Sequence, residues 1–356
     1  MKKRDNKLIV VLGMHRSGTS VVTRGLQVLG VELGNRLMPP VDRNNEKGFW
    51  EDLDINSLNM EMLNSLNSDW HFLTPIQPSD VSVLSSDGYL LRAVELLQEK
   101  TSGVPVFGFK DPRVARLLPF WKEVFVQSRL DVSYVLTFRH PLSVCKSLAK
   151  RDGFDFEKSC LLWLEHVISS LAGTVGENRT VVDYDRLMQS PEVELKRMAK
   201  RLQLQIDMPK LENFKTGFLD EELRHTVYQL NDLISEEAVP SLVREVYSEV
   251  LKTAMDDRRL NTASFKNKTA RWSDEFSRQK SALLLVDKLT SKIISMGQIL
   301  SEKERALAER EQAVQELSWH VAEREQRLND IFNSRAWKFV TVLRKIRATL
   351  IPGNGS

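Results

Sequence analysis

The chain has 356 residues and a formal net charge of +3, with 51 Lys and Arg against 48 Asp and Glu. This length is enough for one large domain or two ordinary ones, and the near balance of charge argues against nucleic acid as a partner. No stretch reaches the roughly 20 apolar residues that cross a bilayer, and the apolar run behind the basic N-terminus is too short for a secretion signal. We expect a cytoplasmic protein, either soluble or peripheral at the inner face of the membrane.

Cysteine usage favours the same compartment. The cysteines are Cys145 and Cys160, in helix-like segments on either side of Gly153. They fit free thiols in a reducing environment better than a disulfide, and both interpretations stay open on the sequence.

The most informative segment is the first strand and the turn that follows it. Leu8–Leu12 is an apolar run typical of a buried strand, and Gly18 opens a helical segment. A glycine-containing turn at a helix N-terminus binds anions, because backbone N–H groups and the positive end of the helix dipole converge there. The polar side chains that would extend this anion site are those of His15, Arg16, Ser17, Thr19 and Ser20.

The spacing of two glycines indicates which anion to expect. Gly13 and Gly18 match the phosphate-binding pattern G-x-x-x-x-G-K-[ST], but Thr19 occupies the Lys position and Arg16 lies inside the loop. A loop that hydrolyses nucleoside triphosphates uses that Lys on the outer phosphates. The sequence therefore predicts a site for a phosphate-like group and argues against ATP hydrolysis.

Short apolar runs alternate with helical periodicity up to about Leu204, which is the pattern of an α/β fold. We predict a parallel sheet flanked by helices, like that of P-loop NTPases, with ligands at the carboxyl ends of the strands. Further strands are predicted at Val104–Phe109, Val132–Phe138 and Thr180–Asp183. Helices are predicted at Gly18–Leu29, Leu53–Leu66, Val114–Val126, Leu142–Lys150, Lys158–Leu171 and Glu192–Leu204.

A long polar segment follows the first predicted helix. Residues 34–80 include Pro39-Pro40 and the sequence GFWED, and this length is better explained by a cap over the site than by a plain loop. We assign residues 1–272 to the α/β domain, with residues 34–80 as its cap.

A second anion-binding group follows the predicted strand at Val132–Phe138. In TFRHPLSVCKSL, Arg139 leaves the carboxyl end of that strand, and Ser147 lies about two turns along the next helix. One charge-assisted bond and one hydroxyl bond from this pair can hold a second phosphate. Arg139 alone is consistent with a surface charge, but beside the first anion site the joint function is favoured.

A third group follows the predicted strand at Val104–Phe109. Lys110, Asp111 and Arg113 in GFKDPR would lie beside the same crevice, with the intervening proline fixing the turn into the next helix. The alternative is that Asp111 caps that helix and Lys110 is solvated. Arg224 in FLDEELRH is far along the chain and can fold back as a clamp, with a surface position as its alternative.

The pattern changes after about Trp272. Residues 273–332 contain no Pro, are densely charged, and carry apolar residues at seven-residue steps beside a second, mixed seam. The clean seam consists of Ile293, Leu300, Leu307, Val314, Val321 and Leu328. This repeat predicts a long helix that forms a coiled coil of modest stability, and so a homo-oligomer, or that packs on a partner. A solvated single helix is the alternative.

Residues 333–356 form a basic amphipathic tail. An apolar helix face consists of Trp337, Val340, Leu343, Ile346 and Leu350, with cations on its flank. Such a helix binds a membrane surface, and docking on a protein partner is nearly as consistent with the pattern.

The succession of GMHRSGTS and TFRHPLSVCKSL, with Arg139 and Ser147 eight residues apart, resembles the sulfotransferase family. VVDYDRLMQSPEVELKRMAKRL resembles the late strand and helix of that family, and FLDEELRH resembles its closing basic segment, so the likeness covers about residues 8–225. It implies 3′-phosphoadenosine 5′-phosphosulfate as the sulfuryl donor, with no metal required. It also implies that the loop around Arg16 holds the 5′-phosphosulfate, that Arg139 and Ser147 hold the 3′-phosphate, and that Arg224 closes over it.

The sequence departs from the family at the general base. The cytosolic members that act on small molecules use a His with no clear counterpart here, and members that act on peptides or glycans use a downstream Glu. Glu51 in GFWED is our first choice, because Phe49 and Trp50 would line an acceptor pocket and raise its pKa by desolvation. Asp111 is the second choice and His15 the third. The residues that we assign to catalysis are Arg16, Glu51, Lys110 and Asp111.

The expected acceptor is a carbohydrate or a lipid-linked surface glycan, with residues 34–80 on its side of the site. SRAWKF resembles a short Ser-Arg-x-Trp-[Arg/Lys] segment near the ends of bacterial surface-polysaccharide enzymes, which fits polysaccharide biosynthesis. Two other functions stay open on the sequence. One is a P-loop kinase or NTPase, which lacks its Lys after Gly18, and the other is a non-catalytic nucleotide-binding coiled-coil scaffold.

Overall fold

The computed structural model describes residues 6–41, 45, 47–219 and 228–350. The chain divides into two units, Met1–Asp287 and Lys288–Ser356. The sheet and the predicted anion sites lie in the first unit.

Within the described residues, four parallel strands form the sheet. They are β1 (Lys7–Leu12), β2 (Val106–Lys110), β3 (Asp131–Phe138) and β4 (Asn178–Asp183). Their order is β2-β1-β3-β4, so β1 pairs with β2 on one side and with β3 on the other. The carboxyl ends of these three strands therefore meet at one edge. The α/β fold is confirmed, and each predicted strand is present with ends shifted by no more than two residues.

Each predicted helix is also present, with small changes at its ends. The helices of the first unit are α1 (Thr19–Leu26), α2 (Leu53–Ser65), α3 (Pro78–Ser86), α4 (Tyr89–Thr101), α5 (Val114–Gln127), α6 (Pro141–Asp152), α7 (Phe156–Gly173), α8 (Tyr184–Gln189), α9 (Pro191–Leu202), α10 (Met208–Asn213), α11 (Leu230–Ser235), α12 (Ser241–Met255), α13 (Ala263–Arg278) and the start of α14 (Lys280–Asn333). A 3₁₀ turn at Gln27–Leu29 completes the predicted first helix. The helix α3, which begins within the last residues of the cap segment, and the helix α4 after it were not predicted.

Side chains alternate along β1 between two hydrophobic clusters. Leu8, Val10 and Leu12 join the larger cluster, whereas Ile9 and Val11 join the smaller one on the other face. A parallel strand covered on both faces has no solvent side, which explains why this strand reads as an unbroken apolar run.

The larger cluster includes residues from the C-terminal part of the first unit. Trp272 is fully buried, and Phe276 and Leu283 join the same cluster. The helix α13 and the first turns of α14 therefore pack on the unit that contains the sheet.

The second unit consists of the rest of α14 and of α15 (Arg335–Leu350), so the predicted long C-terminal helix is confirmed. The apolar side chains of the seven-residue seam are exposed, with 57% of Leu307 and 61% of Val314 accessible to solvent. Ser334 separates the two helices and caps α15, because its Oγ accepts a hydrogen bond from Trp337 N at 3.2 Å. Coiled-coil association stays a prediction. Among the described helices, none is long and apolar enough to cross a membrane.

The two cysteines are buried free thiols, Cys145 on α6 and Cys160 on α7. Their Sγ atoms lie 3.7 Å apart, which is hydrogen-bond rather than disulfide distance. The hydrogen bond with Cys160, together with burial, raises the pKa of Cys145.

Candidate active site

The anion loop, residues 13–20, connects β1 to α1 at the carboxyl edge of the sheet. Its course depends on close contacts that only glycine permits. A Cβ at Gly13 would lie 2.4 Å from the carbonyl oxygen of Thr137 on β3. Gly18 has a φ of +80°, and a Cβ there would lie 2.0 Å from the ring of Tyr184. The loop is therefore held between β3 and the start of α8.

This loop has the donors that an anion needs. The helix α1 begins at Thr19, and the first N–H groups of a helix have no partner within it. The Oγ of Ser17 is buried and has no hydrogen-bond partner among the residues that the structure describes. A buried hydroxyl without a partner costs free energy, and a bound anion would remove that cost by accepting its hydrogen bond.

The second anion-binding motif lies directly beside the loop. Arg16 Nε donates a hydrogen bond of 2.7 Å to Ser147 Oγ on α6. The guanidinium of Arg139, which follows β3, lies 4.6 Å from the centre of the Tyr184 ring that packs on the loop. Burial is the main cause that lowers the pKa of Arg16, and the positive charges of Arg151 and Arg139 lower it further. Cations gathered this closely favour the binding of an anion.

Lys110 and Glu51 form a buried ion pair next to the loop. Lys110 Nζ lies 2.7 Å from Glu51 Oε1, with the two side chains 2% and 5% exposed. The same Nζ donates a longer hydrogen bond, 3.3 Å, to Ser20 Oγ, and Asn56 Nδ2 donates to Glu51 Oε2 at 2.8 Å. Burial raises the pKa of Glu51, the charge of Lys110 opposes this rise, and the charge of Asp111 adds to it.

Asp111 has hydrogen bonds at both carboxylate oxygens. Its Oδ1 accepts from the backbone N–H of Arg113 at 2.9 Å and from the guanidinium of Arg113 at 3.0 Å. Its Oδ2 accepts from Asn59 Nδ2 at 3.0 Å and from Asn56 Nδ2 at 3.3 Å. Asp111 therefore both stabilises the turn into α5 and lies next to Glu51, which shares Asn56 with it.

His15 packs against an aromatic side chain from the segment after α2. The centres of the His15 and Trp70 rings are 4.3 Å apart. Burial, followed by the positive charges of Arg113 and Arg151, holds the pKa of His15 well below its usual range. The imidazole is therefore neutral at physiological pH, and its Nε2 has no partner among the described side chains.

The aromatic residues beside Glu51 do not both face it. Trp50 packs against the ring of Phe218 and under the guanidinium of Arg24. Phe49 contacts the loop through its carbonyl oxygen, which accepts a hydrogen bond from Ser20 Oγ at 3.0 Å.

The structure brings together every predicted site residue that it describes. Arg224 and His225 lie outside the described residues. No sequence-based prediction named Asn56, Trp70 or Tyr184, and the one signal for any of them was that Tyr184 directly follows a predicted strand. Across the described ranges, no group of three or more His, Cys, Asp or Glu side chains is arranged to hold a metal ion. The expectation that no metal is required stays a prediction.

Solved structures similar to this chain include two domains and one separate enzyme. The sulfotransferase domain of the olefin synthase from Synechococcus PCC 7002 is 16% identical, covers 71% of this chain and 96% of its own, and gives a TM-score of 0.40. The sulfotransferase domain of the curacin biosynthetic pathway is 14% identical over 69% of this chain and 98% of its own, with a TM-score of 0.42. A sulfotransferase from Mycobacterium tuberculosis H37Rv is 14% identical over 68% and 77%, with a TM-score of 0.38.

No curated protein sequence matches this chain significantly. The profile of the sulfotransferase family matches residues 9–208, which is more than half of the chain. This range includes the anion loop, Lys110, Arg139 and Ser147. The chain therefore belongs to the sulfotransferase family, and it is a sulfotransferase.

Proposed function

We propose that the enzyme takes its sulfuryl group from 3′-phosphoadenosine 5′-phosphosulfate and transfers it to a hydroxyl group of a carbohydrate or lipid-linked surface glycan. The observation that carries the proposal is the hydrogen bond of 2.7 Å between Arg16 Nε and Ser147 Oγ, because it joins two anion-binding motifs at one edge of the sheet. A donor with a phosphosulfate and a separate phosphate needs two such anchors.

The residues of the loop suit the phosphosulfate end of this donor. Arg16 supplies a charge, Ser17 supplies a buried hydroxyl with no described partner, and the first turn of α1 supplies backbone N–H groups. Arg139 and Ser147 would hold the 3′-phosphate, and Arg224, outside the described residues, would close over it.

Transfer forms a bond between the acceptor oxygen and sulfur and breaks the bond between sulfur and the bridging oxygen of the donor. The acceptor hydroxyl loses its proton in this step, and we assign Glu51 as the base that receives it. Lys110, 2.7 Å from Glu51, would neutralise the charge that develops on the departing phosphate oxygen. Asp111 and the neutral His15 are the alternative bases.

Glu51→Gln tests the assignment of the base. We expect kcat for labelled sulfate transfer to a panel of glycans to fall about 10²–10⁴-fold, the usual contribution of a general base. The affinity for adenosine 3′,5′-bisphosphate should change little, because Glu51 is not assigned to the donor. Glu61→Gln on the exposed side of α2, which loses its ion pair with Arg92, is the matched control and should leave kcat unchanged. Full activity of Glu51→Gln would move the role to Asp111 or His15.

Arg16→Ala tests the donor. Calorimetry without Mg²⁺ should detect binding of adenosine 3′,5′-bisphosphate by the wild-type protein, and Arg16→Ala should lose most of it while its circular dichroism spectrum stays the same. Absence of binding by the wild type would refute the proposed donor. Labelled donor and wild-type enzyme that modify no glycan in the panel would refute the proposed acceptor class.

We also propose that the part of residues 273–332 beyond Asp287, where the first unit ends, forms a coiled coil with a second copy of the chain. The exposed seam of α14 supports this, since a row of apolar side chains at seven-residue steps is buried when two such helices wind together. The basic tail, residues 333–356, would bind the cytoplasmic face of a membrane. In α15 the cations Arg335, Lys338, Arg344, Lys345 and Arg347 occur with no acidic residue. Flotation of the protein with anionic but not with neutral vesicles would test this part.

A further inference from the structure

The loop between α2 and α3, residues 68–74, is held along its backbone by two buried charges. The carboxylate of Asp287 accepts hydrogen bonds from the N–H groups of Leu73 at 2.7 Å and Thr74 at 2.8 Å. The guanidinium of Arg116 on α5 donates to the carbonyl oxygens of Phe72 and Thr74. Asp287 therefore accepts hydrogen bonds from N–H groups of the loop, and Arg116 donates hydrogen bonds to its carbonyl oxygens.

Both charges are almost completely buried, with 4% of Asp287 and 2% of Arg116 exposed. A buried charge is tolerated only when it is paired or hydrogen-bonded, and the loop supplies hydrogen bonds to both groups, beside the 3.4 Å ion pair between Arg116 and Glu165. Asp287 lies in the first turns of α14, where Leu283 packs in the core of the first unit and Lys280 donates a hydrogen bond to Gln77 at 3.0 Å.

This loop carries the side chain that contacts the anion loop. Trp70 packs on His15 at 4.3 Å between ring centres, and the guanidinium of Arg151 lies 5.2 Å from the centre of the Trp70 ring. Arg151 is one helical turn after Ser147, the residue that binds Arg16. Trp70 therefore contacts both the anion loop and the helix that anchors it.

We propose that Asp287 is a positioning residue for the donor site. It fixes the backbone at Leu73 and Thr74, in the same short loop as Trp70. Trp70 in turn supports His15, and the anion loop keeps the conformation that binds the donor. The first turns of the long C-terminal helix are in this way part of the donor site, although Asp287 touches no reacting atom. The inference rests on the proposed use of 3′-phosphoadenosine 5′-phosphosulfate as donor.

The test compares two substitutions on the same helix in the full-length protein. Asp287→Asn keeps the shape of the side chain but replaces one acceptor with a donor that faces an N–H group. Leu283→Ala, one turn earlier, removes core packing without removing a hydrogen bond of the loop, and it is the control for lost stability. We expect Asp287→Asn to weaken binding of adenosine 3′,5′-bisphosphate about tenfold, with Leu283→Ala within twofold of the wild type.

A double-mutant cycle tests the route through the aromatic ring. If Asp287 acts through Trp70, Trp70→Ala should weaken binding by a similar factor, and adding Asp287→Asn to it should weaken binding no further. The melting temperatures of all variants report stability separately. If Asp287→Asn does not fold, Trp70→Ala alone decides, because wild-type affinity in that variant would overturn the proposal.

Three other results would also overturn the inference. They are wild-type affinity in Asp287→Asn, equal weakening by Leu283→Ala, and losses that add fully in the double variant. Failure of the proposed function would look different, because the wild-type protein itself would not bind adenosine 3′,5′-bisphosphate; that result removes the donor and the inference together.

Discussion

Replacing Gly18 with Ala adds one methyl group where the anion loop meets Tyr184. With a φ of +80°, the backbone is in a left-handed conformation that costs a non-glycine residue about 1–2 kcal/mol. The new Cβ would lie 2.0 Å from Cδ2 of Tyr184, so the ring or the loop must move, which costs about 1–3 kcal/mol as overpacking. Together we expect the free energy of unfolding to fall by roughly 2–5 kcal/mol.

The chain contains a matched control for this substitution. Gly30 has a φ of +74°, and a Cβ at that position meets no atom within 4 Å. Gly30→Ala should therefore cost only the conformational part, about 1–2 kcal/mol. Urea unfolding measures both variants, and calorimetry with adenosine 3′,5′-bisphosphate measures the effect on the loop. We expect Gly18→Ala to lose most of its affinity and Gly30→Ala to keep it.

Two results with these variants would contradict the role given to the contact between Gly18 and Tyr184. If Gly18→Ala and Gly30→Ala lose the same stability and bind the ligand equally well, the contact with Tyr184 does not hold the anion loop. If both variants lose affinity for adenosine 3′,5′-bisphosphate, the loss comes from replacing any glycine in a left-handed conformation and not from the contact between the loop and Tyr184.

Two further predictions concern pH and assembly. Burial raises the pKa of Asp183 to about 6, whereas an unfolded Asp has a pKa of about 4. Protonation of Asp183 therefore stabilises the folded protein fully below about pH 4, and this stabilisation is lost as the pH rises through about 6. Asp183→Asn, which can still cap α8, should gain about 3 kcal/mol relative to the wild type between pH 3.5 and 7.5, and parallel unfolding curves would contradict this. Leu307→Arg in the exposed seam should lower the oligomeric state in sedimentation equilibrium, whereas Ala308→Arg beside the seam should not; equal behaviour of the two variants would contradict the coiled coil.

The strands were predictable because burial on both faces leaves a simple mark in a sequence. Leu8–Leu12 is an unbroken apolar run, Val132–Phe138 is interrupted only by Ser133 and Thr137, and the bounds of both were correct to within one residue. The helices α3 and α4 were not predicted, although Pro78 at the first position and the reciprocal bonds of Gln77 and Asp80 form a capping box. This capping box is a local signal for α3 alone, and it lies among the polar residues that were assigned to the cap.

The candidate site was only partly predictable. Arg16, Arg139 and Ser147 could be named because each follows a predicted strand or lies on the next helix, and the carboxyl ends of parallel strands share one edge. Asn56 and Trp70 could not be named, since nothing within α2 or the following loop distinguishes them from ordinary polar or aromatic residues. Trp50 was expected to line the site beside Glu51. Its ring instead packs on Arg24 and Phe218, although Glu51 itself lies in the site.

The order of residues along this chain was enough to specify a parallel α/β sheet, an anion loop without the P-loop Lys, a family and a long C-terminal helix. These features depend on short-range spacing and periodicity, which a sequence records directly. Tertiary contacts alone established that Lys110 pairs with Glu51, that Tyr184 packs on Gly18, and that Asp287 holds the loop of Trp70. Such contacts join residues far apart in the chain, and their partners are selected by the packing of whole helices and strands, for which no local pattern exists.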